Sequence, residues 1–374
     1  MNIRIQEVVG RKDLGKFVDF QYRLYQGNPY FVPPLRFDEM ATLRDDKNPA
    51  YEYCNARLWL AYRGNEVVGR VAAILNRAYI DKWKNKYLRF GWLDFVDDPD
   101  VLRALMNEVE LWAKELNLTA VHGPLGFTDL DHEGMLVEGF DKVGTLATIY
   151  NHPYYPVHLE KLGYKKDADW LEFRIKIPQA IPETVDRVAE IVLRRLQLTI
   201  VRAKKPKDIL PYAKQIFELI NVAYGNLYGV VPLTEKQITY YVKQYFSFVR
   251  ADFITIVLDK EGKLAAFGIT MPSLSSALQK AGGKLFPFGF IHLLQAIRKN
   301  TLADLYLVSV RPDLQGKGVN ALLIRETNIA FHRYGIKEVE SNPQLEVNDR
   351  ILTMWEHYDH IQHKRRRCYI KHLS

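Results

Sequence analysis

The chain has 374 residues, and 52 Lys and Arg against 44 Asp and Glu give it a net charge of +8. Its hydrophobic content of 48% is that of a globular protein and excludes general disorder. The length suggests two domains. The only two cysteines, Cys54 and Cys368, exclude a disulfide framework and favour a reducing cytoplasm.

The sequence carries no segment typical of export or of membrane insertion. Residues 1–7 alternate charged and apolar side chains and lack the apolar core of a signal peptide. The most apolar stretch, residues 285–297, is interrupted by Pro287 and His292 and is shorter than the roughly 18–20 residues of a spanning helix. We therefore expect a soluble, cytoplasmic protein without a membrane partner.

The hydrophobic pattern of the first half predicts alternating strands and helices. Gly64 and Asn65 separate two strand-like runs, an arrangement typical of a hairpin. Strands are predicted at residues 2–8, 57–62, 67–75, 87–95, 119–122 and 170–177, and helices at residues 12–25, 98–116 and 152–162.

The same order begins again after a break between Pro178 and Pro182. Strands are predicted at residues 198–202, 253–258, 264–270, 302–310, 337–341 and 366–372, and helices at residues 209–224, 235–245, 319–334 and 349–357. The pattern indicates an α/β (α+β) protein with two similar domains in tandem, at residues 1–180 and 198–374. Residues 181–197 are predicted to form a helical linker between them.

The charge is divided unevenly between the halves. Residues 1–180 sum to −2 and residues 181–374 to +10. A basic second half favours an anionic partner, which could be a phosphorylated cofactor, a nucleic acid or an acidic membrane surface. A solvated basic face without a specific partner is the alternative.

The most informative segment follows the strand predicted at residues 302–310. The chain enters a turn with Gly316 and Gly318, beside Lys317, and the turn opens a helix. Glycines let a backbone approach a ligand closely, and the N–H groups at a helix start attract phosphate. The spacing matches neither the dinucleotide fingerprint nor the P-loop. Taken alone, it also fits an ordinary strand-to-helix turn.

The segment from Val310 to Gly318 reads Val-Arg-Pro-Asp-Leu-Gln-Gly-Lys-Gly and resembles the acyl-CoA-binding signature of the GNAT acyltransferases. It departs from that signature at the last small residue, which here is Asn320 or, shifted by one, Ala321. A further strand and a helix led by Asn348 follow, as in the GNAT proteins. The resemblance implies two tandem GNAT-like domains, each with a mixed, mostly antiparallel central sheet flanked by helices.

The resemblance also implies a substrate and a set of contacts. Acetyl-CoA, or another acyl-CoA, would donate the acyl group directly to a small-molecule or peptide amine in a ternary complex, without a metal. Main-chain N–H groups near Val308 or Val310 would polarise the thioester carbonyl. The residues assigned to acyl-CoA are Val308, Ser309, Val310, Gln315, Gly316, Lys317, Gly318, Val319, Asn320 and Asn348.

Candidates for proton transfer lie near the end of the chain. Glu340 and Glu346 flank the end of the strand predicted at residues 337–341, and Tyr358 is the candidate acid for the departing thiolate. The tyrosine is ambiguous, because the family pattern would align Trp355 with the acid.

Two other features of the second half could indicate a metal site or a nucleic-acid site, and we disfavour both. His357, His360 and His363 recur every three residues but lack a further element with metal-ligand spacing, so no metal is predicted. The run Lys364-Arg-Arg-Arg367 is interpreted as a solvated strand end, which disfavours nucleic acid as a partner.

The first half resembles the same fold without its glycine turn. Asp94, Asp97, Asp98 and Asp100 stand where a pyrophosphate would bind, so this half is expected to bind no CoA. The segment at positions 123–140 is rich in glycine and acidic residues and has two interpretations. Either it faces a cationic amine with Asp129, Asp131, His132 and Glu133, or it is a solvated surface loop.

The leading hypothesis is thus an acyl-CoA-dependent N-acyltransferase, with acetyl as the favoured acyl group. Two alternatives keep the fold. One uses a charged tRNA as the acyl donor, and the other is a non-catalytic CoA-binding sensor. The sequence does not decide whether the protein forms a homodimer.

Overall fold

The computed structural model describes residues 2–245, 249–348 and 358–373. The first half contains strands β1 (Ile3–Glu7), β2 (Cys54–Arg63), β3 (Glu66–Asn76), β4 (Tyr87–Phe95), β5 (Ala120–Gly123), β6 (Met135–Glu138) and β7 (Lys165–Lys176). Its helices are α1 (Gly10–Leu24), α2 (Arg36–Thr42), α3 (Arg77–Trp83), α4 (Pro99–Glu115) and α5 (Tyr154–Lys161).

The second half repeats this alternation. Its strands are β8 (Thr199–Ile200), β9 (Ile254–Leu258), β10 (Leu264–Pro272), β11 (Leu302–Val310), β12 (Glu338–Glu340), β13 (Gln344–Leu345) and β14 (His360–His372). Its helices are α6 (Glu183–Arg195), α7 (Leu210–Ala223), α8 (Glu235–Tyr245), α9 (Ser275–Ala281), α10 (Gly289–Arg298) and α11 (Val319–Tyr334). The helix predicted at residues 349–357 lies outside the described residues. The sequence patterns missed two strands and four helices, which are β6, β13, α2, α3, α9 and α10.

The strands pair into one sheet that runs through both halves of the chain. Its order is β1-β2-β3-β4-β5-β14-β7-β12-β11-β10-β9-β8, with β6 beside β14 and β13 beside β7. Most pairs are antiparallel, whereas β4–β5 and β11–β12 are parallel. The mixed, mostly antiparallel sheet flanked by helices that we expected is confirmed.

The two halves exchange their last strands. β14, the end of the second half, lies between β5 and β7 of the first half and pairs antiparallel with both. β7, the end of the first half, pairs in turn with β12 of the second. The register places Tyr369 opposite Gly123 and Arg366 opposite Trp170. Each half therefore completes the sheet of the other.

Buried ion pairs hold the exchanged strands together. Lys364 and Arg366 are each 1% exposed, and their side chains contact Glu172 of β7 at 2.9 Å and 2.5 Å. Lys364 also pairs with Glu340 of β12. The neighbouring cations Arg365 and Arg367 bond Asp169. The interpretation of this basic run as a solvated strand end is thus wrong, because Lys364 and Arg366 are buried on one face of the sheet and Arg365 and Arg367 pair with a buried carboxylate on the other.

Glu340 is the carboxylate shared by three elements. Burial alone would raise its pKa, but the hydrogen bond from His363 and the charges of Lys364 and Arg174 outweigh burial and lower the pKa to about 2. A buried charge needs such partners, since an unpaired one is strongly unfavourable. Glu340 therefore stays ionised and ties β12 to β14.

Helices cover both faces of the sheet. In the first half α4 buries an apolar stripe that includes Val101, Leu105 and Trp112. In the second half α11 packs on the sheet and on α6, where Arg325 bonds Glu190 at 2.7 Å. Within the described residues, no helix is both long enough and apolar enough to cross a membrane.

The buried ion pairs predict a large loss of stability for Lys364→Met. The substitution leaves Glu172 and Glu340 buried with fewer cations, which should lower the free energy of unfolding by about 3–5 kcal/mol. Urea denaturation followed by circular dichroism measures this value. Lys176→Met is the control, because its pair with Asp359 is exposed on both sides and its loss should leave stability unchanged. Equal losses of stability in the two variants would contradict the conclusion that the buried ion pairs of Lys364 stabilise the fold.

Candidate active site

A cavity of about 1370 Å³ opens beside the second half of the sheet. Typical small-molecule pockets measure about 300–1,000 Å³, so this one is large. Both halves line it: α2 and the loop after β5 contribute from the first, and α7, α9, α10, β11 and the turn before α11 from the second. Most of the wall is apolar, with polar groups concentrated at three places.

The first of these places is the edge of β11. The parallel strands β11 and β12 pair only between Leu302–Asp304 and Glu338–Glu340, so β11 diverges from β12 beyond Asp304. Along the diverging part, the Tyr224 hydroxyl donates to the Val308 carbonyl at 2.8 Å and accepts from the Val308 N–H at 3.3 Å. The backbone of Val308 thus has its hydrogen-bonding groups directed at the cavity, where an extended ligand could pair with them.

The second place is the turn between β11 and α11. Gly318 has a φ of 85°, a left-handed conformation that favours glycine, and α11 begins directly after it. Arg311 fixes the approach by bonding Asp259 and Asp313, each at 2.7 Å, and the Gln315 side chain donates to the Val310 carbonyl at 3.0 Å. The Ala321 N–H donates to the Gly318 carbonyl at 3.0 Å, and the start of α11 carries the partial positive charge of a helix N-terminus, which attracts anions.

The residues that the sequence assigned to acyl-CoA come together at this edge and turn. Those that line the cavity are Val308, Ser309, Val310, Gln315, Gly316, Gly318, Val319, Asn320 and Asn348. Lys317 is exposed on the outer side of the turn and is not among the lining residues.

The third place is the acidic segment after β5. Asp129, Asp131 and Glu133 line the cavity, so the interpretation of this segment as a solvated surface loop is wrong. Burial raises the pKa of Asp129 to about 6, although Arg89 and Lys82 oppose the shift. Burial and the charge of Asp129 raise the pKa of Glu133 well above its usual range. These carboxyl groups can therefore take up a proton near neutral pH.

The acidic segment and the β11 edge are neighbours. Burial raises the pKa of the Tyr224 hydroxyl, and the charge of Asp129 raises it further, while the same hydroxyl bonds Val308. Sequence reasoning missed Tyr224, which directly follows α7, because nothing in the pattern of that segment distinguishes this residue from a core tyrosine.

The structure separates the three residues proposed for proton transfer. Tyr358 lines the cavity and is half-buried, and burial raises its pKa. Glu340 lies in the ion pairs between β12 and β14, outside the cavity wall. Glu346 is also outside the wall, where its side chain pairs with Lys166 at 2.5 Å and with Arg365 at 3.5 Å.

The corresponding edge in the first half is filled by protein. β4 and β5 pair only at Tyr87–Arg89 and diverge beyond, but the Leu125 N–H donates to the Phe90 carbonyl at 2.8 Å. The Phe95 N–H donates to the Tyr155 hydroxyl at 3.1 Å. Asp98 accepts from the Asp100 N–H and so caps α4 with its own carboxylate. The space left beside this edge measures only about 40 Å³.

Three side chains are close enough together to bind a metal ion. The ligand atoms of His122, Asp167 and Cys368 lie within 4.8 Å of one another. The Tyr228 hydroxyl, however, hydrogen-bonds all three groups. Burial lowers the pKa of His122 to about 4 and raises that of Cys368. Burial opposes ionisation of Asp167, but the hydrogen bonds with His122 and Tyr228 outweigh it and lower the pKa of this carboxyl group. The cluster is therefore a hydrogen-bonded network around one carboxylate beside the cavity.

No protein-family profile matches the sequence. The YghO protein of Escherichia coli (strain K12) is 27% identical to this chain over 376 residues, which cover 99% of this chain and 95% of that protein. A bacterial ceramide synthase of Caulobacter vibrioides is 24% identical over 377 residues, covering 96% of this chain and 95% of that protein.

Among solved structures, a tandem GNAT protein from the clavulanic acid biosynthesis pathway superposes with a TM-score of 0.57. The two are 14% identical in sequence, and the match covers 99% of this chain and 98% of that one. The resemblance carried by residues 310–318 is confirmed at the level of the fold: the chain has the tandem GNAT fold.

Proposed function

We propose that the chain is an acyl-CoA-dependent N-acyltransferase that transfers the acyl group directly to an amine. The observation that carries the proposal is the meeting of three features in one cavity: the open edge of β11, the glycine turn and the acidic segment. In this proposal, residues 198–374 bind acyl-CoA, residues 181–197 link the halves, and residues 1–180 supply the acidic segment.

The second half would hold acyl-CoA through its backbone. The N–H groups from Gln315 to Asn320 would bind the pyrophosphate at the start of α11. The edge of β11 would pair with the pantetheine amides, and the Val308 N–H would bond the thioester carbonyl after displacing the Tyr224 hydroxyl. The charge of +10 on residues 181–374 would attract this anionic substrate.

The acidic segment would receive the amine. Asp129 and Asp131 would attract an ammonium group, and Asp129, with a pKa near 6, would accept a proton from it at neutral pH. The amine nitrogen would then form its bond to the thioester carbon as the C–S bond breaks. The Tyr358 hydroxyl is the proposed donor of a proton to the leaving thiolate.

The cavity favours substrates with a long apolar part. Its wall includes apolar side chains of α7, α9 and α10, among them Ile220, Leu278 and Leu293. The likeness to the bacterial ceramide synthase supports the same choice, because ceramides are N-acyl derivatives of long-chain amino alcohols. We therefore extend the expectation of acetyl transfer to longer acyl groups and long-chain amines.

An assay over chain length tests the function. Purified protein is mixed with acetyl-, octanoyl- or palmitoyl-CoA and with either a small amine or a long-chain amino alcohol, and both free thiol and amide product are measured. Amide formation that increases with acyl or acceptor length supports the proposal. Tight CoA binding without amide formation from any pair would favour the sensor alternative.

Gly316→Leu should weaken CoA binding by more than about tenfold, that is, by more than about 1.4 kcal/mol. A Cβ at Gly316 meets no protein atom within 4 Å, so the added side chain enters the space assigned to the pyrophosphate. Gly335→Leu is the matched control, since Gly335 ends the same helix with a φ of 70°, close to the 72° of Gly316, and is equally open. Calorimetry with CoA measures both, and equal affinities for the two variants would contradict this binding site.

Asp129→Asn should lower kcat/KM by about 10²–10⁴-fold, the usual contribution of a general base. In the unmodified protein kcat/KM should rise with pH through about 6 and then level off, because the carboxylate form is the active one. Asp97→Asn is the control, as that side chain is 64% exposed on the first half. An acidic limb that persists unchanged in Asp129→Asn would assign the base to another group.

Tyr358→Phe should lower kcat by about 10²–10⁴-fold and leave the affinity for CoA unchanged, because only the proton donor is removed. Tyr224→Phe is the comparison: it removes the hydroxyl that occupies the Val308 backbone, so CoA should bind at least as tightly and kcat should change less. Single-turnover rates and calorimetry measure both variants. If Tyr224→Phe loses most of its kcat and Tyr358→Phe does not, the proton donor is Tyr224 and not Tyr358.

A further inference from the structure

The segment between β10 and β11 carries an unusual outer surface. α9 and α10 form a helical hairpin whose inner side chains, including Leu278 and Leu293, are buried and line the cavity. The outer face is also apolar: Phe286 is 79% exposed, Phe288 68%, Leu294 47%, Phe290 40% and Ile291 39%. We call this hairpin, residues 275–298, the α9–α10 hairpin.

A helix on the surface of a water-soluble protein normally presents polar residues to solvent. Here five large apolar side chains within nine residues are exposed instead. The rings of Phe286 and Phe290 lie 6.0 Å apart, so the aromatic groups form one patch and not scattered single residues. Contiguous exposed apolar patches mark surfaces that bind another molecule or a membrane.

The charges around this patch have one sign. Residues 264–303 contain Lys280, Lys284, Arg298 and Lys299 but no Asp or Glu. All four side chains are exposed, and none forms an ion pair within the described part of the chain. Exposed aromatic residues beside unpaired cations are typical of elements that lie in the interface of an anionic bilayer.

The hairpin is fixed beside the entrance of the cavity. The Gln279 side chain donates to the Pro29 and Phe31 carbonyls, and the Arg36 N–H donates to the Gly283 carbonyl at 2.9 Å. Phe37, the next residue, lines the cavity and is itself 51% exposed. A surface that contacts the outer face of the hairpin would therefore lie next to the cavity.

We propose that the α9–α10 hairpin binds the surface of an anionic membrane, so that a long-chain substrate passes from the lipid layer into the cavity. The passage of substrate rests on the proposed function, whereas the binding of membrane does not. This proposal replaces the expectation of no membrane partner, which rested on the shortness of the apolar stretch at residues 285–297. That length argues only against a spanning helix.

Flotation with lipid vesicles tests the binding without any substrate. The full chain should float with vesicles that contain phosphatidylglycerol and should bind much less to vesicles of phosphatidylcholine alone. Phe286→Ser with Phe288→Ser should lower the partition coefficient by more than about tenfold, because two rings leave the lipid. Lys280→Gln with Lys284→Gln should lower it by about 10- to 30-fold, and high salt should reduce binding in the same direction.

Matched variants elsewhere distinguish this surface from general basicity. Lys204→Gln with Lys207→Gln removes two exposed cations of the same half, and Ile191→Ser with Val222→Ser removes two exposed apolar residues. Both pairs should leave vesicle binding within about twofold of the unmodified chain. Equal losses in these controls, or no flotation of the unmodified chain, would overturn the proposal. Self-association through the patch in place of vesicle binding would overturn it as well.

An activity measurement separates this proposal from the proposed function. The hairpin variants should lose turnover of a long-chain amine presented in vesicles and keep turnover of a short, water-soluble amine, because the substituted side chains lie outside the cavity wall. If no amine is acylated but the vesicles still bind, the proposed function fails and the membrane contact stands. If the hairpin variants acylate both amines as fast as the unmodified chain does, the proposal that substrate passes from the membrane into the cavity is wrong.

Discussion

The architecture depends on the ion pairs that Lys364 and Arg366 make with Glu172 and Glu340 in the middle of the sheet. These pairs join the strand that ends the chain to a strand that ends the first half and to a third strand from the second half. Charges so deeply buried are tolerated only when each one has its partner. The two halves therefore fold against each other, with β14 inserted between β5 and β7.

The exchange of strands has a consequence for the site. Because β7 and β14 tie the halves into one sheet, the acidic segment after β5 of the first half lies against the diverging edge of β11 in the second. Asp129 and Tyr224 both line the cavity, and the Tyr224 hydroxyl bonds the Val308 backbone. A single half would hold either the edge or the carboxylates, but not both.

The two diverging strand pairs, β4–β5 and β11–β12, differ in what lies in the gap between the strands. In the first half, Leu125 and Tyr155 satisfy the open backbone of β4, and Asp98 caps the helix that follows. In the second half, the side chains of Tyr224 and Asn342 bond backbone groups of β11. Gly318, which has a left-handed conformation, precedes α11 beside a large cavity. The same topology thus gives a packed core on one side and a ligand-sized space on the other.

The sequence by itself determined the alternation of strands and helices, the glycine turn at residues 310–318 and the cluster of residues that lines the cavity around it. These features are local, because hydrophobic periodicity and turn chemistry are set by neighbouring residues. Only the tertiary structure decided where the charged groups go. The run from Lys364 to Arg367 is as polar as a solvated strand end, and the segment from Asp129 to Glu133 is as acidic as a surface loop. Their placement in the fold depends on residues more than 90 positions away in the chain, such as Glu172 and Tyr224, and no local pattern contains that information.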